Sequence, residues 1–234
     1  MFWVGTSGYN YPEWRGSFYP EKFPTAKMLS YYAERFSTVE INYTFYRLPT
    51  DKVLEGWAET TPEEFAFTLK ASRRITHDAR LKDCQELVDY FCERARKLGP
   101  KLGVLLFQLP PSLRIDLELF DSFLGWLPTG VRAAFEFRHD SGHSEEVFKR
   151  LRDRNLALCI ADTDKKTTPL EITADYAYFR LRDEGYQPTD IARWGDRIAE
   201  STAHCRDVDV YFKHEEQGNG PEFARAMIAG LDSR

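Results

Sequence analysis

Hydrophobic residues along this chain gather in short runs, and most of these runs are apolar at every position instead of at alternate positions. Such runs are typical of strands that are buried on both faces, as in a parallel sheet that helices cover. We predict eight strands from them, over residues 2–6, 38–42, 65–70, 103–109, 132–138, 157–162, 176–181 and 209–213.

Between the runs, apolar residues recur at a spacing of three or four, which is typical of helices with one buried face. We predict about seven helices, over residues 25–35, 51–60, 83–98, 116–126, 144–154, 189–204 and 221–231. Strands that alternate with helices at this chain length favour an α/β fold of the closed (β/α)8 TIM type. An open, doubly wound sheet is the alternative, but no glycine-rich phosphate turn follows the first strand.

Composition limits the setting and the partners of the chain. Its 234 residues contain no linker, repeat or low-complexity tract, so we expect a single domain over residues 1–234. A net charge of −5 argues against a broad surface for nucleic acid. The four cysteines lack CxxC spacing, and we see no signal peptide and no apolar stretch long enough to span a membrane. We therefore expect a cytoplasmic monomer that has no membrane partner.

Most of the predicted strands carry a polar residue near the C-terminal end. In the fifth strand, Glu136 and Arg138 lie two residues apart, so an extended chain points both to the same side. An ion pair on an otherwise apolar strand is costly unless the strand end opens into a polar pocket. Because a (β/α)8 barrel builds its site at these ends, we expect one charged mouth. The residues that we place there are Glu40, Asn42, Lys70, Gln108, Glu136, Arg138, Asp162 and Arg180.

Loops beyond the strand ends supply further candidates. The segment 7–20, after the first strand, is rich in aromatic residues, and loops over a strand end commonly carry function. The other interpretation is a lid whose rings pack on their own barrel. The substrate contacts that we take from the loops are Tyr11, Trp14, Tyr46, His77 and His139.

A set of short motifs in a fixed order also runs through the chain. They include Gly5-Thr-Ser-Gly8, Trp14-Arg-Gly16, Val39-Glu-Ile-Asn42, Leu105-Leu-Phe-Gln-Leu-Pro-Pro111, Glu136-Phe-Arg-His139 and Cys159-Ile-Ala-Asp162. In this set the chain resembles the YecE-like family (domain of unknown function 72) over nearly its whole length. The resemblance implies a barrel related in shape to sugar-isomerase and endonuclease IV-like barrels. It implies no particular reaction, because none is established for the family.

The chain departs from the family pattern after three of the predicted strands. The departures lie at Ser141-Gly-His143, Leu181-Arg-Asp-Glu-Gly185 and Phe212-Lys-His214. These changes thin one wall of the expected pocket and add positive charge, so we expect a substrate preference that differs from that of relatives.

The residue types at the expected mouth favour acid–base chemistry. Carboxylates among fixed cations are expected to have divergent pKa values, which provides an acid and a base within one site. We assign the general acid or base to Glu136, with Glu40 or Asp162 as its counterpart. Lys70 is a further catalytic candidate, through a Schiff base with a carbonyl substrate.

The cations at the mouth indicate the charge of the substrate. Lys70, Arg138 and Arg180 are suited to hold a phosphate or a carboxylate. We therefore predict an enzyme, a hydrolase, lyase or isomerase, that acts on a small anionic, phosphorylated or sugar-like molecule.

Four other interpretations stay open at this point. A buried salt-bridge network could serve only to set the barrel geometry. The aromatic loops, together with nearby arginines, could bind nucleic acid, although the acidic composition weighs against this. A metal site is disfavoured because no HExxH-like spacing occurs and the cations lie close by, so we predict neither a metal nor a cofactor. Lastly, a scaffold with a vestigial barrel would bind no ligand.

Overall fold

The computed structural model describes residues 1–163, 166–215 and 218–233. Residues 164–165, 216–217 and 234, which belong to the predicted domain, lie outside the described residues. The strands are β1 (Phe2–Thr6), β2 (Thr38–Ile41), β3 (Ala66–Lys70), β4 (Leu102–Gln108), β5 (Ala133–Glu136), β6 (Ala157–Thr163), β7 (Lys166–Thr167), β8 (Tyr176–Leu181) and β9 (Asp207–Phe212). The α-helices are α1 (Met28–Ala33), α2 (Asp51–Thr60), α3 (Gln85–Ala95), α4 (Leu117–Trp126), α5 (Glu145–Asp153), α6 (Pro188–Ser201) and α7 (Asn219–Asp232).

Eight of the described strands run parallel and follow one another around a barrel. The hydrogen-bonded order is β1, β9, β8, β6, β5, β4, β3, β2, and a backbone bridge between Ser7 and Glu40 joins the two ends. The predicted (β/α)8 barrel is therefore confirmed, and the open doubly wound sheet is excluded. The sequence patterns missed β7, a two-residue strand that pairs antiparallel with β6.

Two of the α-helices are shorter than predicted, because turns of 3-10 helix replace the α-helix at one end of each. Residues Thr25–Lys27 form a 3-10 turn before α1, and Arg96–Lys101 form another after α3. The segment predicted as the loop after β3 contains a π-helix, Arg74–Asp78. No helix among the described residues combines the length and apolarity that a membrane span requires.

The barrel has a separate packing layer on each side of its wall. Outward-facing residues such as Phe107 and Phe135 stack at 5.3 Å between ring centroids and join the core under the helices. Inside, small side chains such as Ala134 and Cys159 pack in one cluster with the large rings of Tyr178 and Tyr211. Small residues on β5 and β6 thus provide the space that the tyrosines of β8 and β9 fill.

A side chain closes the seam between β1 and β2. The Tyr32 hydroxyl, from α1, accepts a hydrogen bond from the Thr6 amide at 2.9 Å and donates to the Thr38 carbonyl at 3.0 Å. One hydroxyl therefore provides a hydrogen-bond partner for a backbone group of β1 and for one of β2. Gly5 makes room for this arrangement, since a Cβ there would lie 2.3 Å from the Thr38 oxygen and 2.9 Å from the Tyr32 hydroxyl.

We expect Tyr32→Phe to destabilise the barrel by roughly 1–3 kcal/mol, because it leaves a buried N–H and a buried C=O without partners. Urea unfolding measures the loss. Tyr90→Phe is the matched control, since Tyr90 is 53% exposed on α3 and its change should stay within about 0.5 kcal/mol. Equal losses in the two variants would contradict the role of Tyr32 in the seam.

Polar groups fill the barrel below the mouth. The Tyr211 hydroxyl lies 2.7 Å from Thr38 Oγ1 and donates to Asp209 at 3.2 Å. Arg132 also donates to Asp209, at 2.9 Å. Burial outweighs the attraction of Arg132 and raises the pKa of Asp209 to about 6.

This raised pKa predicts a pH-dependent stability. The protonated form of Asp209 stabilises the fold fully below the unfolded-state value near 4, and that contribution is lost as the pH rises through about 6. Between pH 4.5 and 7.5 the wild-type protein should therefore lose about 2 kcal/mol relative to Asp209→Asn. Urea unfolding of both proteins at the two pH values measures this difference, and a constant difference would refute it.

Candidate active site

Arg180 lies at the centre of the barrel mouth and is fully buried. Strand alternation points its side chain inward from β8, like that of Tyr178. The guanidinium donates hydrogen bonds to Glu40 of β2 on the opposite wall. Arg180 Nε lies 3.0 and 2.9 Å from the two carboxylate oxygens, and Nη2 lies 2.8 Å from Oε1. This fork geometry ties two distant strands together.

A second buried carboxylate, Glu136 of β5, completes the network. Its Oε2 accepts from Arg180 Nη1 at 2.9 Å and from Gln108 Nε2 at 2.7 Å. Its Oε1 accepts from Arg138 Nε at 3.1 Å and lies 3.8 Å from Arg182 Nη1. Glu136 thus connects the buried guanidinium with two arginines at the rim.

Both glutamates are held as carboxylates. Burial by itself raises the pKa of Glu40 and of Glu136, but the charge of Arg180 and the hydrogen bonds from donors around them lower both values below the ordinary range. The expected divergence of pKa values is therefore wrong for this pair. Neither residue is a proton donor near neutral pH.

Lys70 is a buried amine at the mouth, and its pKa lies closer to neutrality than that of an ordinary lysine. It lies at the end of β3 and is 8% exposed, with Nζ donating to Gln108 Oε1 at 2.9 Å. The ring of Phe45 covers the amine, with its centroid 4.2 Å from Nζ. Burial, reinforced by the charge of Arg180, lowers the pKa of Lys70 to about 8.

A cavity of about 620 Å³ opens beside this network, on the β5, β6 and β8 side of the mouth. Glu136, Arg138 and Arg182 line it, together with the hydroxyl-bearing Thr163 and Thr168. Its size suits a small molecule. Its wall thus combines charged side chains with hydroxyl groups.

Asp162 does not belong to this site, contrary to the prediction. Inward residues on β6 are Cys159 and Ala161, so alternation turns Asp162 outward. Its carboxylate accepts from the Arg182 amide at 2.8 Å, from Trp194 Nε1 at 3.1 Å and from the Tyr186 hydroxyl. These contacts anchor α6 to the barrel and leave Asp162 out of the acid–base pair.

The aromatic loop after β1 is a lid that packs on its own barrel. Trp14 is buried, and its indole N–H donates to the Glu215 carbonyl at 2.8 Å, so the predicted substrate contact is wrong for this residue. Tyr11 packs on Trp14 with ring centroids 4.8 Å apart and donates to the Ser7 carbonyl at 2.7 Å. Tyr46, on the loop after β2, is 73% exposed instead.

The remaining predicted contacts divide between the mouth and its loops. Asn42 Oδ1 accepts from Arg180 Nη2 at 3.2 Å, so Asn42 belongs to the central network. His77 lies at the rim with its ring 4.9 Å from that of Phe45. His139 Nδ1 accepts from the Ser141 amide at 3.1 Å and is thereby used within its own turn.

Three residues of the network were missing from the predicted set. The Ser7 hydroxyl and the Tyr178 hydroxyl both donate to Glu40, the latter at 2.5 Å. Arg182 lines the cavity. Tyr178 and Arg182 each lie two residues from Arg180, so strand alternation was a usable signal for both.

Among the residues that the structure describes, no three His, Cys, Asp or Glu side chains lie close enough to share a metal ion. The absence of a cofactor stays a prediction. The arrangement as it stands offers fixed carboxylates, rim arginines and one buried amine.

These features define a (β/α)8 barrel protein with a buried ion network at the C-terminal ends of its strands. The chain belongs to the family described as protein of unknown function DUF72, whose model matches residues 3–234. It is 31% identical over 169 residues to the UPF0759 protein YecE of Escherichia coli (strain K12), and the match covers 70% of this chain and 60% of that protein. The resemblance to the YecE-like family is thus confirmed.

Further comparisons agree with the fold. The UPF0759 protein YunF of Bacillus subtilis (strain 168) is 23% identical over an alignment of 275 positions that covers 99% of this chain and 95% of that protein. A DUF72 family protein from Thermotoga maritima MSB8 has a TM-score of 0.89 at 26% identity, with 99% of both chains covered. A D-psicose 3-epimerase from Clostridium cellulolyticum H10, solved with D-tagatose, has a TM-score of 0.56 at 14% identity, covering 99% and 97%. That last likeness concerns the fold alone.

Arg180→Met should destabilise the protein by about 3–5 kcal/mol, because it leaves Glu40 and Glu136 buried without the charge between them. Urea unfolding at pH 7 measures this. Arg193→Met is the control, since that arginine is 74% exposed and pairs with Asp190 on α6, and its loss should cost less than about 1 kcal/mol. Similar values for both variants would contradict the central role of Arg180.

Proposed function

We propose that this protein is an enzyme that binds a small anionic molecule in the cavity at its barrel mouth. The observation that carries the proposal is the convergence of Arg138 and Arg182 on one oxygen of Glu136 at the cavity wall. Arginines that share one carboxylate oxygen retain further N–H donors, and a phosphate or carboxylate fits that donor geometry.

The charge balance of the mouth supports this choice. Arg180 is neutralised where it lies, between Glu40 and Glu136. Arg138 and Arg182 then add positive charge for which Glu136 is the shared partner, and Lys70 adds more. The local excess of cations in a partly dry site attracts an anion, although the whole chain is acidic.

The protonation states also favour a division of roles. Glu40 and Glu136 remain ionised, so we assign both to holding the arginines in place. We assign proton transfer instead to Lys70 and His77. Burial lowers the pKa of Lys70 to about 8 and lowers the pKa of His77 below its ordinary value. The reaction types consistent with this set are those of lyases and isomerases, which need a proton moved and no water activated.

Nucleic-acid binding finds less support in the geometry. The rings of Trp14 and Tyr19 are buried within the lid, so they offer no faces on which bases can stack. Tyr43 and Tyr46 remain exposed at the rim, which is a small surface for such a partner. We therefore propose the small-molecule function alone.

Anion binding tests the proposal. Inorganic phosphate and ribose 5-phosphate, titrated calorimetrically, should bind the wild-type protein and bind Arg138→Leu at least tenfold more weakly, as expected for the loss of a charged hydrogen-bonding partner. Arg197→Leu, which alters an arginine that contacts Trp194 on α6, is the control and should bind like the wild type. Binding that is absent, or equal in both variants, would overturn the proposed site.

Turnover is then sought among phosphorylated and carboxylated metabolites by mass spectrometry of reaction mixtures. A substrate found in this way should compete with inorganic phosphate, since both would bind to Arg138 at the cavity wall.

A further inference from the structure

The two lysines that are buried among the described side chains, Lys70 and Lys101, have contrasting environments. Lys101 Nζ donates to the Ala58 carbonyl at 2.5 Å, to the Thr61 carbonyl at 2.7 Å and to Thr61 Oγ1 at 3.2 Å. These three acceptors match the three donors of an ammonium group. Lys70 is as deeply buried, yet among the described residues it has the single acceptor Gln108 Oε1.

The ring that covers Lys70 compensates only in part. The face of Phe45 attracts a cation, but it accepts no directed hydrogen bond equal to those made by Lys101. Arg180, held nearby, repels a second positive charge, and this repulsion adds to the effect of burial on Lys70. These surroundings disfavour the ammonium form of Lys70 and so raise the fraction of neutral amine, which is the nucleophilic form of lysine.

His77 shares the same aromatic support. Its ring lies edge-on to Phe45 at 4.9 Å, and its Nδ1 lies 2.9 Å from Thr76 Oγ1. Burial first, and then the charges of Lys70 and Arg138, lower the pKa of His77, so the imidazole is neutral and able to accept a proton.

The backbone around His77 is unusual. The residue belongs to the π-helix Arg74–Asp78, and left-handed φ angles of 53° and 67° follow at Arg80 and Leu81. π-Helical turns and left-handed non-glycine residues occur often at functional sites, where the surrounding fold maintains them. Here they set His77 against the ring of Phe45 that covers the buried amine.

We propose that Lys70 is a nucleophile that forms an imine with the carbonyl carbon of a small anionic aldehyde or keto acid. This inference rests on the proposed function and narrows its substrate class. The lone pair of Nζ attacks the carbonyl carbon, and a proton passes from the nitrogen to the former carbonyl oxygen. The nitrogen lone pair then forms the C=N bond as the C–O bond breaks, and the remaining N–H proton joins the departing hydroxide as water, so one carbonyl compound and one amine yield one imine and one water.

The residues around the amine have matching tasks in this step. His77 accepts the proton from Nζ and returns it to the departing oxygen. Arg138 and Arg182 hold the anionic group of the carbonyl compound at the cavity wall. Gln108 accepts from Lys70 and donates to Glu136, and so connects the nucleophile with the carboxylate at the cavity wall.

Reductive trapping on the intact protein tests the inference. Glyoxylate, the smallest anionic aldehyde, is added at pH 7 with sodium cyanoborohydride, and peptide mass spectrometry measures the carboxymethyl group at each lysine. Lys70 should react on the order of a hundredfold faster than exposed lysines such as Lys22 and Lys52, because an amine with a pKa of about 8 is far more often neutral at pH 7 than one with an ordinary value. Lys101 should stay unmodified.

Competition and variants separate this inference from the function on which it rests. Inorganic phosphate should slow trapping at Lys70 and leave Lys22 unaffected. His77→Gln should slow the trapping and shift its pH profile while phosphate still binds. Lys70→Arg should still bind phosphate, and no lysine of this variant should be carboxymethylated faster than the exposed lysines.

Two outcomes would overturn parts of the scheme. If Lys70 reacts no faster than Lys22 while phosphate binds and Arg138→Leu abolishes that binding, the nucleophile is refuted and the anion site stands. If Lys70 reacts fast with glyoxylate and equally fast with acetaldehyde, and phosphate gives no protection, the nucleophile stands and the anion site is refuted.

Discussion

A guanidinium buried between two carboxylates is the interaction on which the rest of this barrel mouth depends. Arg180 is completely enclosed, and a charge in that position is tolerated only because Glu40 and Glu136 face it from two other strands. The three side chains span the barrel from β2 through β8 to β5. Any shift of one strand would break charged hydrogen bonds in a medium where water cannot replace them.

This network determines which groups remain available for chemistry. Because Arg180 holds both glutamates ionised, the residues that looked like an acid–base pair have become structural anchors for the rim arginines. The groups that remain available for reaction and for substrate binding lie at the edge of the network. There Lys70 finds, in the described part of the chain, fewer hydrogen-bond acceptors than an ammonium needs, and Arg138 and Arg182 line an open cavity.

At the seam of the barrel, too, a single side chain holds two strands together. One tyrosine hydroxyl, from Tyr32, links β1 to β2, and the missing side chain of Gly5 lets it approach. Directly above this seam, Ser7 donates to Glu40, so the closure of the barrel and the central ion network share a strand pair. The position of Glu40 in the ion network therefore depends on the closure of the barrel between β1 and β2.

The sequence by itself determined the eight strands, their alternation with helices and the meeting of charged strand ends, because buried runs, helical spacing and period-two alternation are local properties of the chain. The family motifs pointed to the same fold. Only the tertiary structure decided which charges pair, that Asp162 faces α6 and that Trp14 is buried in a lid. Those outcomes depend on which partners the other strands bring near, and the protonation of Lys70 and the two glutamates depends on how much water the closed barrel excludes.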